Sequence, residues 1–72
     1  MIKKMEIKFD KNIYKKEGIL NTVEAYKNLA DIDFYENEDF FIIIMKNIDE
    51  GVKDVIRDEF CNYSLFETAK CQ

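Results

Sequence analysis

The sequence is short, rich enough in apolar residues to fold, and acidic overall. It has 72 residues, of which 47% are hydrophobic and 36% charged, and its formal net charge is −4. A chain of this size and composition is expected to form one globular domain, residues 1–72, near the lower size limit for independent folding. The acidic balance argues against nucleic acid or an anionic membrane as a partner, because both surfaces repel the protein.

The sequence also predicts a cellular location. The N-terminal stretch MIKKMEIKFD carries charges where a secretory signal needs an unbroken apolar core, and no apolar run elsewhere reaches membrane-spanning length. We therefore expect a cytoplasmic protein that does not enter a membrane. Cys61 and Cys71 are ten residues apart in a predicted helix and its tail, too distant for a disulfide, so both are expected to be reduced thiols.

The first half of the chain predicts a strand followed by a helix. Met5, Ile7 and Phe9 alternate with charged residues, which is typical of a strand with one buried face, so residues 2–9 are predicted as the first strand. From residue 16 to 30, apolar side chains recur every three or four positions, which predicts an amphipathic helix. Its predicted buried stripe consists of Ile19, Leu20, Val23, Tyr26, Leu29 and Ala30.

The second half predicts a β-hairpin and a second helix. Residues 32–36 are strand-like, residues 37–39 have the composition of a tight turn, and residues 40–45 are an unbroken apolar run typical of a central strand. The second helix is predicted to start near Asp49 or Glu50, where acidic side chains suit the positive end of the helix dipole. Its predicted buried stripe consists of Val52, Val55, Ile56, Phe60, Tyr63 and Phe66.

The resulting order β-α-β-β-α predicts the topology. A right-handed crossover from the first strand to the second, followed by a hairpin, inserts the apolar third strand between them. We therefore predict a small α+β domain whose three-stranded sheet has the order 1-3-2, with two helices on one face.

This topology predicts an apolar stripe on the face that the helices leave open. One alternate set of central-strand side chains must lie there, and the sequence does not decide between two sets. The first set is Phe40, Ile42 and Ile44, and the second is Phe41, Ile43 and Met45. An apolar stripe with a charged rim usually marks an association surface, so we interpret this strand as the candidate partner-binding site.

Other interpretations of the open face stay available. The chain after Phe66 can fold over the stripe, or long lysine side chains can shade it. The outer strands also present unpaired backbone edges, either of which can accept an extended peptide.

The residue inventory excludes most self-contained catalysis. The chain has no histidine, which removes Ser-His and Cys-His pairs and histidine zinc sites, and its two cysteines and two glycines are too few for a four-cysteine zinc site or a phosphate loop. The acidic residues around the hairpin do not follow the spacing of a calcium loop. Cys61 follows Glu59 and Phe60, which disfavour a thiolate. We therefore expect no catalytic, cofactor-binding or metal-binding residue, and a protein that is not an enzyme.

Three segments resemble a known family. They are FDKNIYKKEGILNTVEAYKNLADIDF, FFIIIMKNIDE and IRDEFCNYSL, and together they resemble the small HxsD-like proteins of His-Xaa-Ser peptide systems over nearly the whole chain. The residues that carry the resemblance are Tyr14, Tyr26, Phe60 and Asn62, none of which is part of a catalytic motif. It implies a bacterial accessory protein that works beside radical SAM enzymes and binds the maturase, the precursor peptide or both, with Tyr14 and Asn62 as further candidate contacts. Each of these residues also fits a structural role.

Three functional hypotheses follow. The leading one is a non-catalytic binding module that holds a peptide or a maturation enzyme against the open sheet face or a sheet edge. The second is an obligate homodimer whose apolar sheet faces bury each other. The third is a thiol-dependent enzyme that uses Cys61 or Cys71.

Overall fold

The computed structural model describes residues 4–70, which form two helices and three strands. The elements are β1 (Met5–Asp10), α1 (Lys16–Tyr26), β2 (Asp31–Glu36), β3 (Phe40–Lys46) and α2 (Ile56–Lys70). The predicted order β-α-β-β-α is therefore confirmed. Residues 2 and 3 of the predicted first strand lie outside the described residues, as does Cys71.

The sheet has the order β1-β3-β2, and β3 pairs antiparallel with both neighbours. The predicted order 1-3-2 and the small α+β fold are thus confirmed. Ile43 marks the centre of the sheet, because it stands opposite Ile7 of β1 and opposite Phe34 of β2. The β-branched run of β3 suits this position, where side chains pack on a pleated surface and the backbone is paired on both sides.

The core lies between one face of the sheet and the two helices. The sheet contributes Ile7, Phe9, Phe41, Ile43 and Met45, and the helices contribute Ile19, Ile56 and Phe60. Phe60 joins the two layers, because its ring centroid lies 5.9 Å from that of Phe9 in the sheet and 5.5 Å from that of Tyr26 in α1. Because each strand alternates its side chains between faces, this core uses only one alternate set from each strand.

The two helices approach closely through small and polar residues. A Cβ placed on Gly18 of α1 would lie 2.6 Å from the Oγ1 of Thr68 and 2.8 Å from its backbone nitrogen. Thr22 donates to the Gly18 carbonyl at 2.8 Å, and the Asn21 amide donates to the Glu67 carboxylate at 3.2 Å. The Thr22 bond lies within α1, whereas the Gly18–Thr68 approach and the Asn21–Glu67 bond cross between the helices. The interface is therefore built on close backbone contact rather than on a continuous apolar stripe.

This contact explains why part of the predicted α1 stripe is wrong. Leu20 is exposed, whereas Gly18 and Thr22 are buried on the side that faces α2. The helix also ends at Tyr26 rather than at residue 30, and the Leu29 N–H then donates to the Tyr26 carbonyl in a turn.

The predicted start and stripe of α2 also need correction. The helix begins at Ile56, because residues 50–55 form turns in which the Asp49 carboxylate accepts from the Gly51 N–H. Phe66 is 60% exposed, and Val55 and Tyr63 are exposed as well. The buried positions in the second half of the helix are Ser64, Glu67 and Thr68.

We expect Gly18→Ala to lower the free energy of unfolding by about 1–3 kcal/mol, because the added methyl group collides with the α2 backbone. Helix propensity alone would have the opposite effect on the free energy of unfolding, because it favours alanine over glycine by about 1 kcal/mol. Urea denaturation measures the change. Gly51→Ala is the matched control, since its Cβ would meet only the Asp49 carboxylate, at 3.2 Å. A Gly18→Ala protein as stable as the parent would contradict the close contact.

Candidate partner-binding site

The open face of the sheet carries one apolar stripe. Phe40, Ile42 and Ile44 of β3 are half-buried, and none of them packs against the core among the described residues. We call these three residues the open-face stripe. The structure thereby decides between the two sets that the sequence left open.

The other set belongs to the core. The prediction that Phe41, Ile43 and Met45 are partner contacts is wrong, because all three are buried under the helices. They are not available to a partner in the folded protein, because the pleat of β3 turns them toward the helices. Ile42 and Ile44 stay predicted partner contacts.

The neighbours of the open-face stripe follow from the strand register. Ile44 lies between Glu6 of β1 and Asp33 of β2, and Ile42 lies between Lys8 and Tyr35. Tyr35 is 54% exposed and adds an aromatic ring to this face. The strand period of the sequence is consistent with this placement of Tyr35, since Ile32 and Phe34 alternate with Asp31, Asp33 and Tyr35.

The rim of the open face has an acidic excess. By alternation, the charged side chains that the paired strand residues place there are Glu6, Lys8, Asp10, Asp31, Asp33 and Lys46. These are four acidic and two basic groups, so the paired strand residues contribute about two net negative charges to the face. The Lys46 ammonium lies 3.4 Å from an Asp33 carboxylate oxygen. The Lys8 ammonium lies 5.8 Å from the centre of the Phe40 ring, so a lysine side chain covers part of this end of the stripe.

The C-terminal part of the chain, as far as residue 70, does not cover the open-face stripe. Residues 56–70 stay in α2, which packs against α1 through Thr68 and Gly18. Residues 71 and 72, the end of the tail that is a candidate cover for the stripe, lie outside the described residues.

The outer edge of β1 is largely closed by the chain itself. The Lys11 N–H donates to the Asp39 carbonyl, so Lys11 points its backbone groups toward the β3 side. Because this direction alternates along a strand, the backbone groups of Glu6, Lys8 and Asp10 point away from β3. The Arg57 guanidinium donates to the Glu6 carbonyl at 3.3 Å. The Asp10 carbonyl accepts from the backbone N–H groups of residues 13 and 14 at 3.0 and 2.9 Å. Two of these three outward carbonyls thus have partners.

The outer edge of β2 is open. The Asn37 N–H donates to the Phe40 carbonyl, so by the same alternation the backbone groups of Ile32, Phe34 and Glu36 point away from β3. Among residues 4–70, no backbone hydrogen bond outside the strand ladders reaches them. Neither edge is favoured by the sequence alone, because the difference depends on Arg57 and on the turn after β1.

The end of β2 is held by an ion-pair cluster. Glu36 lies 2.8 Å from the Lys11 ammonium and 2.9 Å from the Lys16 ammonium. Hydrogen bonds from Lys11 and Lys16 hold the pKa of the Glu36 carboxyl below its ordinary value. The cluster therefore fixes the end of β2 to the connection between β1 and α1 and to the start of α1.

A pH-dependent stability difference between the parent and Glu36→Gln is expected from this cluster. Because the pKa of Glu36 is lowered in the folded protein, its contribution is fully present above the ordinary value of about 4.3 and is lost as the pH falls through the lowered pKa. At pH about 7 the parent should unfold at a higher urea concentration than the variant, and the difference should vanish in acid.

Glu38→Gln is the control, because Glu38 lies in the same hairpin and forms no ion pair with any residue between 4 and 70. Equal effects of the two substitutions at every pH would contradict the role of the cluster.

The residues carried over from the family resemblance lie away from the open-face stripe. Tyr14 packs edge-on against Phe9, with ring centroids 4.8 Å apart, and its burial raises the pKa of the hydroxyl. Tyr26 and Phe60 pack against each other in the helical layer. Asn62 is exposed on α2. The structure therefore does not bring Tyr14 and Asn62 together with Ile42 and Ile44.

The thiol of Cys61 is poorly placed for nucleophilic chemistry. Cys61 is half-buried, and burial raises the pKa of its thiol, with Arg57 opposing and Asp58 reinforcing this shift. A raised pKa keeps the sulfur protonated near neutral pH. Residues 4–70 contain no cluster of three or more cysteine or acidic side chains arranged to hold a metal ion.

Comparison with known proteins gives no family assignment. No protein-family model matches the sequence, and neither the curated proteins nor the solved structures include a significant match. Within residues 4–70, neither helix has the length and apolar character needed to cross a membrane.

Proposed function

We propose that this protein is a non-catalytic binding module that holds a protein or peptide against its open sheet face. The observation that carries the proposal is the open-face stripe, which lies at the centre of the sheet and outside the core. Exposed Tyr35 extends the apolar surface beyond the stripe. An apolar centre with a polar rim is the usual anatomy of a protein interface.

The rim favours a foreign partner over a second copy. Two copies packed face to face would each bring four acidic and two basic groups to the interface. Like charges across an interface disfavour association, whereas a neutral or basic partner gains from the same charges. The homodimer is therefore the second candidate, and it predicts a molar mass that rises to twice that of one chain at high concentration.

The composition of the chain supports a binding role rather than catalysis. The absence of histidine from the sequence removes the commonest general base, and the thiol of Cys61 has a raised pKa. A binding module requires neither feature, because its affinity comes from buried apolar area and complementary charge.

The proposed pathway is the modification of a ribosomally made peptide in the cytoplasm. Its support is the resemblance of three sequence segments to HxsD-like proteins, which implies a radical SAM maturase or a precursor peptide as the partner. The open-face stripe is compatible with either partner, since both present protein surface. The module would hold its partner without changing it chemically.

The test is capture of a partner from native cytosol by the tagged protein, with bound proteins identified by mass spectrometry. We expect recovery of a radical SAM enzyme or a short precursor peptide. Ile42→Thr and Ile44→Thr should each weaken capture by about ten-fold, which corresponds to about 1.4 kcal/mol. Threonine keeps the β-branched shape that β3 requires, and circular dichroism verifies folding.

Ile13→Thr is the matched control, because Ile13 is 59% exposed but lies in the connection between β1 and α1. Capture that survives both stripe substitutions in folded protein would overturn the proposed site. Recovery of this chain alone, with mass doubling in light scattering, would favour the homodimer instead.

A further inference from the structure

We infer that the outer edge of β2 accepts an extended peptide segment as a fourth strand, and that the segment alternates apolar with basic side chains. This inference rests on the proposed binding function and names the chemistry of the partner. It selects one of the two sheet edges and commits to an occupant whose backbone pairs with Ile32, Phe34 and Glu36.

The backbone of the sheet supports this choice. The β1 edge already uses its outward carbonyls at Glu6 and Asp10, through Arg57 and the following turn. The β2 edge offers the outward groups of three alternate residues, which is the ladder that an added strand needs. Its sequence, DIDFYE, contains no proline or lysine, two residues with which proteins commonly obstruct edge pairing.

The apolar side chains of the two edge strands also differ in burial, and those of β2 are the more exposed. On β1, Ile7 and Phe9 are 2% and 1% exposed. On β2, Ile32 and Phe34 face the same layer but stay only half-buried. Phe34 stacks on Phe41 with ring centroids 5.9 Å apart, so its contact within the sheet is with the neighbouring strand β3. An added strand would cover the remaining apolar surface with its own apolar residues.

The charges of β2 predict which side chains the added strand carries on the open face. Asp31, Asp33 and Tyr35 project onto the open face, so they would stand beside the alternate residues of an added strand. Asp31 binds the Asn47 amide, which is neutral, and Asp33 shares Lys46 at 3.4 Å. Acidic groups are therefore in excess on the open-face side of this edge, where Asp31 and Asp33 face one lysine, Lys46. Lysine or arginine in the added strand would pair with them, whereas two copies of β2 would repel each other. On the helical side, Lys11 and Lys16 both pair with Glu36, and basic residues of the added strand are not expected there.

The length of β2 sets the size of the segment. The strand has six residues, which span about 20 Å at the usual rise of a strand. A segment of similar length would place about three side chains on each face. The predicted recognition sequence is therefore short, with apolar residues at every second position and basic residues between them.

The experiment uses synthetic peptides of about eight residues, matched to the length of a strand, with the full protein chain. The probe alternates valine with lysine, and a second peptide alternates valine with glutamate. A third carries the valine–lysine sequence with backbone N-methyl groups at alternate residues, which removes the ladder donors and keeps the charge. Fluorescence anisotropy gives the affinity, and amide hydrogen exchange by NMR locates the site.

Asp33→Lys and Glu6→Lys form a matched pair of variants. Both residues flank Ile44 in one row of the open face, on opposite edges. We expect Asp33→Lys to weaken binding of the valine–lysine peptide by about five-fold and to improve binding of the valine–glutamate peptide, because one cross-strand charge pair is worth up to about 1 kcal/mol. Glu6→Lys should change both affinities by less than about two-fold.

Binding of the valine–lysine peptide should slow amide exchange at Ile32, Phe34 and Glu36 but not at Lys8, and the N-methylated peptide should not bind. Equal effects of the two charge reversals, or undiminished binding of the N-methylated peptide, would overturn strand addition at β2. Failure of all three peptides alongside stripe-dependent capture of a partner would reject this inference and leave the proposed function intact. Loss of both kinds of binding would reject both.

Discussion

The structure depends on the pairing of β3 with a strand on each side. This pairing satisfies the backbone of an unbroken apolar segment and fixes which alternate side chains share a face. Two helices supply apolar cover for one face only, and Phe41, Ile43 and Met45 fill the core there. The described residues form no second layer over the other face, so Ile42 and Ile44 stay half-buried there. The candidate binding surface is thus a direct consequence of the way in which this small domain forms its core.

The two edges of the sheet differ because α2 begins beside β1. Arg57, in the first turn of α2, reaches the Glu6 carbonyl, and Phe60 packs on Phe9. At the opposite edge, the cluster around Glu36 fixes the end of β2 but leaves its outward backbone groups without partners among the described hydrogen bonds. The open face and the open edge therefore adjoin each other, and a partner strand on β2 would extend the surface that contains the open-face stripe.

The sequence predicted the element order and the strand order, because both depend on local periodicity and on the contrast between the alternating β1 and the uniformly apolar β3. It did not predict the orientation of α2. Hydropathy placed Phe66 in the core, whereas the close approach at Gly18 brings Ser64 and Thr68 inward. The open face could be anticipated, but its residues could not, because both alternate sets of β3 are apolar. Closure of the β1 edge depends on a long-range bond from Arg57, for which the sequence has no local pattern.

The most direct measurement is site-specific photo-crosslinking in a native cell extract, with p-benzoylphenylalanine placed at Tyr35 or at Tyr63. Both positions are exposed tyrosines, so an aromatic photo-crosslinker perturbs them little, but Tyr35 lies on the open face and Tyr63 on α2. A partner held by the open face should form a covalent adduct from position 35 and not from position 63, and mass spectrometry identifies the crosslinked chain. Adducts from position 63 alone would place the partner on the helical layer and contradict a binding role for the open sheet face.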